Sequence, residues 1–146
     1  MKNISILTIL MITLCINIFA DGTEPFGSGT DADPYQVETL DNLLWISTND
    51  TSWDKHFIQI ADIDAGDTEN WNDGEGFSPI GNLFGISFSG AYNGQDYIIN
   101  NLYINRFDQA SQGLFGSTSY ALISNVNIVN VIVNGESWVA GLISSS

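Results

Sequence analysis

Apolar and polar positions repeat one short pattern in the second half of the chain: Ile99-x-Asn101-Leu102-x-Ile104 returns as Ile123-x-Asn125-Val126-x-Ile128, with every matched position shifted by the same interval, Ile99 to Ile123 and Asn101 to Asn125 alike. A second echo, Gly113-Leu114-Phe115-Gly116 against Gly141-Leu142-Ile143-Ser144, has a slightly longer interval. Repeats of this size predict a solenoid, in which each coil leaves an apolar face that only the neighbouring coils can cover. On that reading the chain is an all-β parallel β-helix of about three to four coils. Asn101 of one coil stacks on Asn125 of the next, about 4.8 Å along the axis, as an amide ladder. Gly113, Gly116 and Gly141 are conformational, supplying positive φ or room for close approach at a corner.

Other segments predict their own elements. Leu40, Leu43, Leu44 and Ser47 fall at helical spacing behind Thr39, which is placed to cap, so a short helix is expected over 39–48, lying across the open end of the first coil. Phe57 to Ile63 alternates like a strand, with Ile60-x-x-Ile63 matching Ile99-x-x-Leu102. Between them and the next strand, residues 64–85 read as a long acidic excursion rich in Gly and Asn. Tyr97 to Ile104 and Leu122 to Val133 are the clearest coils, and Asn130 stands where the second should bend between two faces. Residues 21–56 thus form a turn-rich leader with the capping helix, and 57–146 the repeat region.

Residues 1–20 read as a secretory signal: Lys2 gives the positive start, Ile4 to Ile18 is almost wholly apolar, and Ala20 is a small residue for cleavage. Cys15 belongs to that run, so the exported part has no cysteine and must be held by burial and strand pairing alone. Charge narrows the partners. The chain carries 17 Asp and Glu against 3 Lys and Arg. So few cations cannot follow a phosphate backbone or an anionic membrane surface, and the acidity repels polyanions.

Several stretches in order resemble the secreted bacterial proteins that bear the GLUG motif: Gly27-Ser-Gly-Thr-Asp-Ala-Asp-Pro-Tyr-Gln-Val37, Ile60-Ala-Asp-Ile-Asp64, Ser78-Pro-Ile-Gly81, Phe88-Ser-Gly-Ala-Tyr-Asn-Gly94, Ile99-Asn-Asn-Leu102 and Gly113-Leu-Phe-Gly116. The resemblance implies a right-handed parallel β-helix in a secreted or cell-surface protein, in adhesin-like or peptidase-associated settings, with no catalytic residues to carry over. The chain departs from the pattern in having one complete Gly-Leu-x-Gly copy and ending the second in Ser144. A chain cut short of its last coil, or one completed edge to edge by a partner at that coil, is therefore expected.

Candidate chemistry is sparse. Asp62, Asp64 and Asp67 are the expected ligands if a hard cation such as calcium binds, although no EF-hand or glycine-rich nonapeptide is present. Trp53 and Trp71, in polar loops, and Tyr103, expected to point outward, are the candidates for stacking a glycan. His56, the sole histidine, has no nucleophile in a motif beside it. The expected function is a non-enzymatic extracellular module that binds glycan or protein. The alternatives are a carbohydrate-active enzyme using Asp62 and Asp64, spaced as a glycosidase pair would allow, or an inactive piece of a longer surface protein.

Overall fold

The computed structural model describes residues 21–146; the signal-like segment 1–20, with Cys15, lies outside them. Among the described residues, nine short strands and one α-helix follow in the order β1 (Tyr35–Val37), α1 (Leu40–Thr48), β2 (His56–Gln59), β3 (Ile63–Asp64), β4 (Ala91–Asn93), β5 (Ile98–Asn100), β6 (Tyr103–Arg106), β7 (Leu122–Ser124), β8 (Asn127–Val129) and β9 (Ile132–Gly135). They form three sheets, β1-β2-β4-β7, β3-β5-β8 and β6-β9, and each of these strand pairs is parallel. From β4 onward the chain visits each sheet once in turn, β4, β5, β6, and then again as β7, β8, β9.

Register corrects the repeat read from sequence. Ile99 pairs with Ile128 and not with Ile123, while Tyr103 pairs with Ile132 and Tyr92 takes Ile123, so the interval between paired strands is longer than the echo implies. Leu102 therefore lies under Val131 and not Val126, with Ile132 N donating to Leu102 O at 2.9 Å. Likewise Ile63 pairs with Ile99, so Ile60 does not match that position. The shorter echo arises because the corner pattern recurs twice in the second pass through the sheets, at Asn125 and again at Asn130. Asn101 (φ 61°), Asn125 (φ 52°) and Asn130 (φ 51°) are all left-handed and stand between β5 and β6, β7 and β8, and β8 and β9 respectively. Asparagine tolerates that conformation better than other L-residues, so it marks where a flat strand must turn onto the next face. The repeat is a signature of corners, and aligning one corner with a different one gives the shorter interval.

The second echo keeps its spacing. Phe115 bridges Ile143 in parallel, the partner that the echo assigns, and on its other side bridges Ile80. Pro79-Ile80-Gly81 is thus an earlier copy of the Leu-x-Gly pattern, stacked beneath Leu114-Phe115-Gly116, which sits beneath Leu142-Ile143-Ser144. Of the two roles expected for these glycines, close approach is the one observed. A Cβ on Gly116 would stand 2.6 Å from Gly81 O and 2.8 Å from Ser111 O, and one on Gly113 would stand 2.8 Å from Ala140 O. Gly141 has ordinary room, with its nearest neighbour, Val131 Cγ1, at 3.4 Å.

The helix forms where its spacing places it. Thr39 Oγ1 accepts from Asn42 N at 3.2 Å and Asn42 Oδ1 accepts from Thr39 N at 3.1 Å, a reciprocal cap that satisfies two otherwise orphaned donors. Leu43 and Ile46 are fully buried with Val37, and Trp45 meets Tyr35 of β1 edge to face at 5.4 Å. The helix therefore packs at the β1 end of the first sheet. That sheet reaches back into the leader, since β1 pairs with β2 through Tyr35 and Phe57, and so crosses the boundary expected at residue 57.

Inside the sheets, aromatic rings continue from strand to strand: Tyr35 stacks on Phe57 at 5.4 Å, Phe57 on Tyr92 at 6.4 Å, and Phe88 meets Phe115 at 5.0 Å. Each such buried ring is worth about 1.5–3 kcal/mol in removed apolar surface. Ile63, Ile99, Leu102 and Ile104 line the other two sheets and are buried. One amide ties the strands across the core: Gln59 Nε2 donates to Ala61 O at 2.9 Å and Ile98 O at 3.3 Å, and its Oε1 accepts from Tyr92 OH. Burial pushes the Tyr92 phenol well above its ordinary range.

Candidate functional site

A concavity of about 630 Å³ opens between the 78–84 segment, the turn after β6 and the turn after β9. Two strongly exposed aromatics line it, Phe84 (88% exposed) and Trp138 (58%). Asp108 and Glu136 add carboxylates, and Ser111 and Gln112 lie deep beside them. Ser111 and Trp138 hold left-handed backbones, φ 61° and 48°. For a residue as bulky as tryptophan this conformation carries strain that the surrounding fold must offset. Ser111 N donates to Ser137 O at 2.9 Å and Gln112 N to Trp138 O at 3.0 Å, so one turn is stacked on the other and fixes the Trp138 backbone.

Arg106, at the end of β6, borders this cleft with its guanidinium fully engaged. Nη1 donates to Glu75 Oε2 at 2.8 Å, Nη2 to Ser78 Oγ at 3.0 Å and to Gly76 O, and Nε to Phe77 O at 3.3 Å. Burial lowers its pKa, opposed by the charges of Glu75 and Asp108. Arg106 is a strut that ties the acidic excursion to β6. The excursion consequently returns to the core, and Phe77 and Ile80 within it are fully buried. Ser111 Oγ and Gln112 Oε1 are the contrast, both buried with no hydrogen-bond partner in the protein. Such atoms are uncommon in folded chains and mark unused bonding capacity.

The residues singled out from sequence fare differently. Trp53 is 7% exposed, and its indole donates to Ile46 O at 2.7 Å, so it is chiefly a core residue holding the helix, although it also lines the floor of the cleft between Phe84 and Trp138. The polar context that suggested exposure belongs to its neighbours in the chain. Trp71 is half-buried, with its ring centre 6.4 Å from that of Phe77. Tyr103 does lie at an open surface, a concavity of about 320 Å³ that Asp64, Glu69 and Asn130 also line.

Asp62, Asp64 and Asp67 are all exposed. Among the described residues no three His, Cys, Asp or Glu side chains come together as a metal site. Two of the three carboxylates each use one oxygen to bind the backbone or a neighbour. Asp62 Oδ1 accepts from Ile98 N at 2.8 Å, and Asp64 Oδ1 accepts from Gly66 N at 3.0 Å and from Asn101 Nδ2 at 3.1 Å. The Asn101 bond, then the Gly66 bond, hold the Asp64 carboxyl below its usual range. His56 lies 3.5 Å from Asp31. The amide ladder exists with other partners than Asn101 on Asn125: Asn125 donates to Asn93, Asn130 to Asn100 and Asn134 to Asn105, at 3.0, 2.9 and 3.2 Å.

Phe84 and Trp138 were not singled out by sequence reasoning. Both follow turn-rich segments, Gly81-Asn82 and Asn134-Gly135, and a large ring beside a turn in a solvated stretch is the signal that points to them.

Comparison with known proteins gives two relatives. Over 122 residues the chain is 38% identical to Halomucin of Haloquadratum walsbyi, a match covering 82% of this chain and 1% of that protein. Over 127 residues it is 32% identical to a putative Gly-rich membrane protein of Evansella cellulosilytica, covering 82% of this chain and 14% of that one. The chain therefore spans a small fraction of the length of the curated relatives it matches. No protein-family model matches it, and no solved structure does. Among the described residues no helix is long and apolar enough to cross a membrane.

Proposed function

We propose that this chain is a non-enzymatic module of a secreted or cell-surface protein, a right-handed parallel β-helix of the GLUG kind that serves as a structural or adhesive piece. The observation that carries the reading is the parallel, in-register return of the chain to each sheet, Tyr92 to Ile123, Ile99 to Ile128 and Tyr103 to Ile132. Stacked Ile80, Phe115 and Ile143, each followed by a Gly or Ser, support the GLUG resemblance. The short stretch matched within a much longer Halomucin supports a modular role, and that name and the membrane protein of the second relative favour the cell surface. The carboxylates an enzyme would need, Asp62 and Asp64, are used to hold strand ends.

Two measurements test this together. On intact source cells, externally added protease is expected to degrade the protein, and recovery of the protein intact until lysis would refute a surface location. In parallel, the purified chain is expected to release no reducing ends from a panel of glycans. Turnover abolished in both Asp62→Ala and Asp64→Ala would replace the module with a hydrolase.

A further inference from the structure

We propose that the cleft between Phe84 and Trp138 is a binding site for an uncharged sugar chain. The two rings supply what the apolar faces of sugar units stack on, large exposed aromatic surface at the rim of a concavity. They stand on fixed backbone: Gln112 N holds Trp138 O, and Asn82 N donates to Ile86 O at 2.7 Å to close the turn bearing Phe84. A rigid platform loses little conformational freedom on binding.

Charge selects among sugars. The cation bordering the cleft, Arg106, has all its donor nitrogens engaged by Glu75, Ser78 and backbone carbonyls, so it offers nothing to a uronate or sulfate. Asp108 and Glu136 line the same cleft and repel anions, while their carboxylates accept hydrogen bonds from hydroxyl groups. A peptide is disfavoured because it would need free backbone to pair with, and here Ser111, Gln112, Glu136 and Ala140 already spend their amides on the opposing turn.

This proposal rests on the surface-module reading and deepens it by naming a ligand class. The test is calorimetric titration of the folded chain with uncharged hexasaccharides of glucose, mannose and galactose, and with hexagalacturonate as the anionic arm. At least one uncharged hexasaccharide is expected to bind, and hexagalacturonate not. Phe84→Ala and Trp138→Ala, at exposed positions where melting temperature should hold, are each expected to weaken binding roughly tenfold, whereas Trp71→Ala leaves it unchanged. No binding by any uncharged sugar, equal binding of hexagalacturonate, or undiminished binding in both cleft variants overturns the proposal. A proline-free peptide library retained through Trp138 would also overturn it in favour of a protein partner. Protease access on intact cells is read separately, so failure here leaves the surface location standing.

Discussion

Asn125 donates its side-chain amide to Asn93 at the end of β4 at 3.0 Å, and Asn101 turns instead to Asp64 of β3 at 3.1 Å. Two asparagines in identical sequence patterns therefore hold different rows of corners. Each lies in left-handed backbone and uses its amide to bind an earlier strand, so backbone conformation and side-chain bond select the same residue type.

The two contributions can be separated at Asn101. Asn101→Gly keeps the left-handed backbone at little cost and loses only the bond to Asp64, while Asn101→Ala loses both. Alanine is expected to be less stable than glycine by about 1 kcal/mol or more, read from urea midpoints. Equal midpoints would show that the conformation at this corner is not what selects asparagine.

Gly116 tests the stacking of the Leu-x-Gly rows. Its missing Cβ would press on backbone oxygens of Gly81 and Ser111, which cannot rotate away. Gly116→Ala is expected to cost about 1–3 kcal/mol, and Gly141→Ala, where space is ordinary, much less. A thermal melt of both variants decides it, and a harmless Gly116→Ala would contradict the close packing of the rows.

Replacing Arg106 by Met leaves the carbonyls of Gly76 and Phe77 and the Glu75 carboxylate without their donor. The Glu75 side chain is 47% exposed and rehydrates, so with the Arg106 side chain only 9% exposed the expected loss, from the carbonyls left without a donor, is about 1–3 kcal/mol. Proteolysis of the folded variant is expected to begin within 66–76, because that segment is what the strut ties down. Cleavage elsewhere first would mean the excursion is held by other contacts.

Asp64 gives a pH dependence of known sign. Its carboxyl is held below the ordinary value of 3.8 by Asn101 and then Gly66, so the folded state binds its proton less readily than the unfolded one. The charged form therefore stabilises the fold at and above that ordinary value, and the benefit disappears as pH falls through the lower folded value. Wild type is expected to melt above Asp64→Asn at neutral pH, with the gap closing in strong acid. A gap constant from pH 7 downward would refute the assignment.

Much of the architecture was legible in the sequence because it depends on local constraints. Thr39 and its spaced leucines defined the helix, the Leu-x-Gly echo kept its spacing from Phe115 to Ile143, and Asn130 bends the chain where its apolar neighbours change faces. The strongest visible repeat nevertheless implied the wrong interval between paired strands. One corner looks like another in sequence, and only strand pairing distinguishes Ile99 over Ile128 from Ile99 over Ile123. Trp53 shows the same limit for sites: a polar neighbourhood along the chain says nothing of a helix folded over the ring.

The sequence by itself determined that this chain is β-rich, acidic and turned by asparagine and glycine, because conformational preference and charge are properties of residues and their immediate neighbours. The tertiary structure alone decided which strand lies on which, that Arg106 is spent as a strut, and that Phe84 and Trp138 border one cleft. Those facts depend on the return of segments distant in the chain to the same place, which no residue's own preference or immediate neighbours can specify.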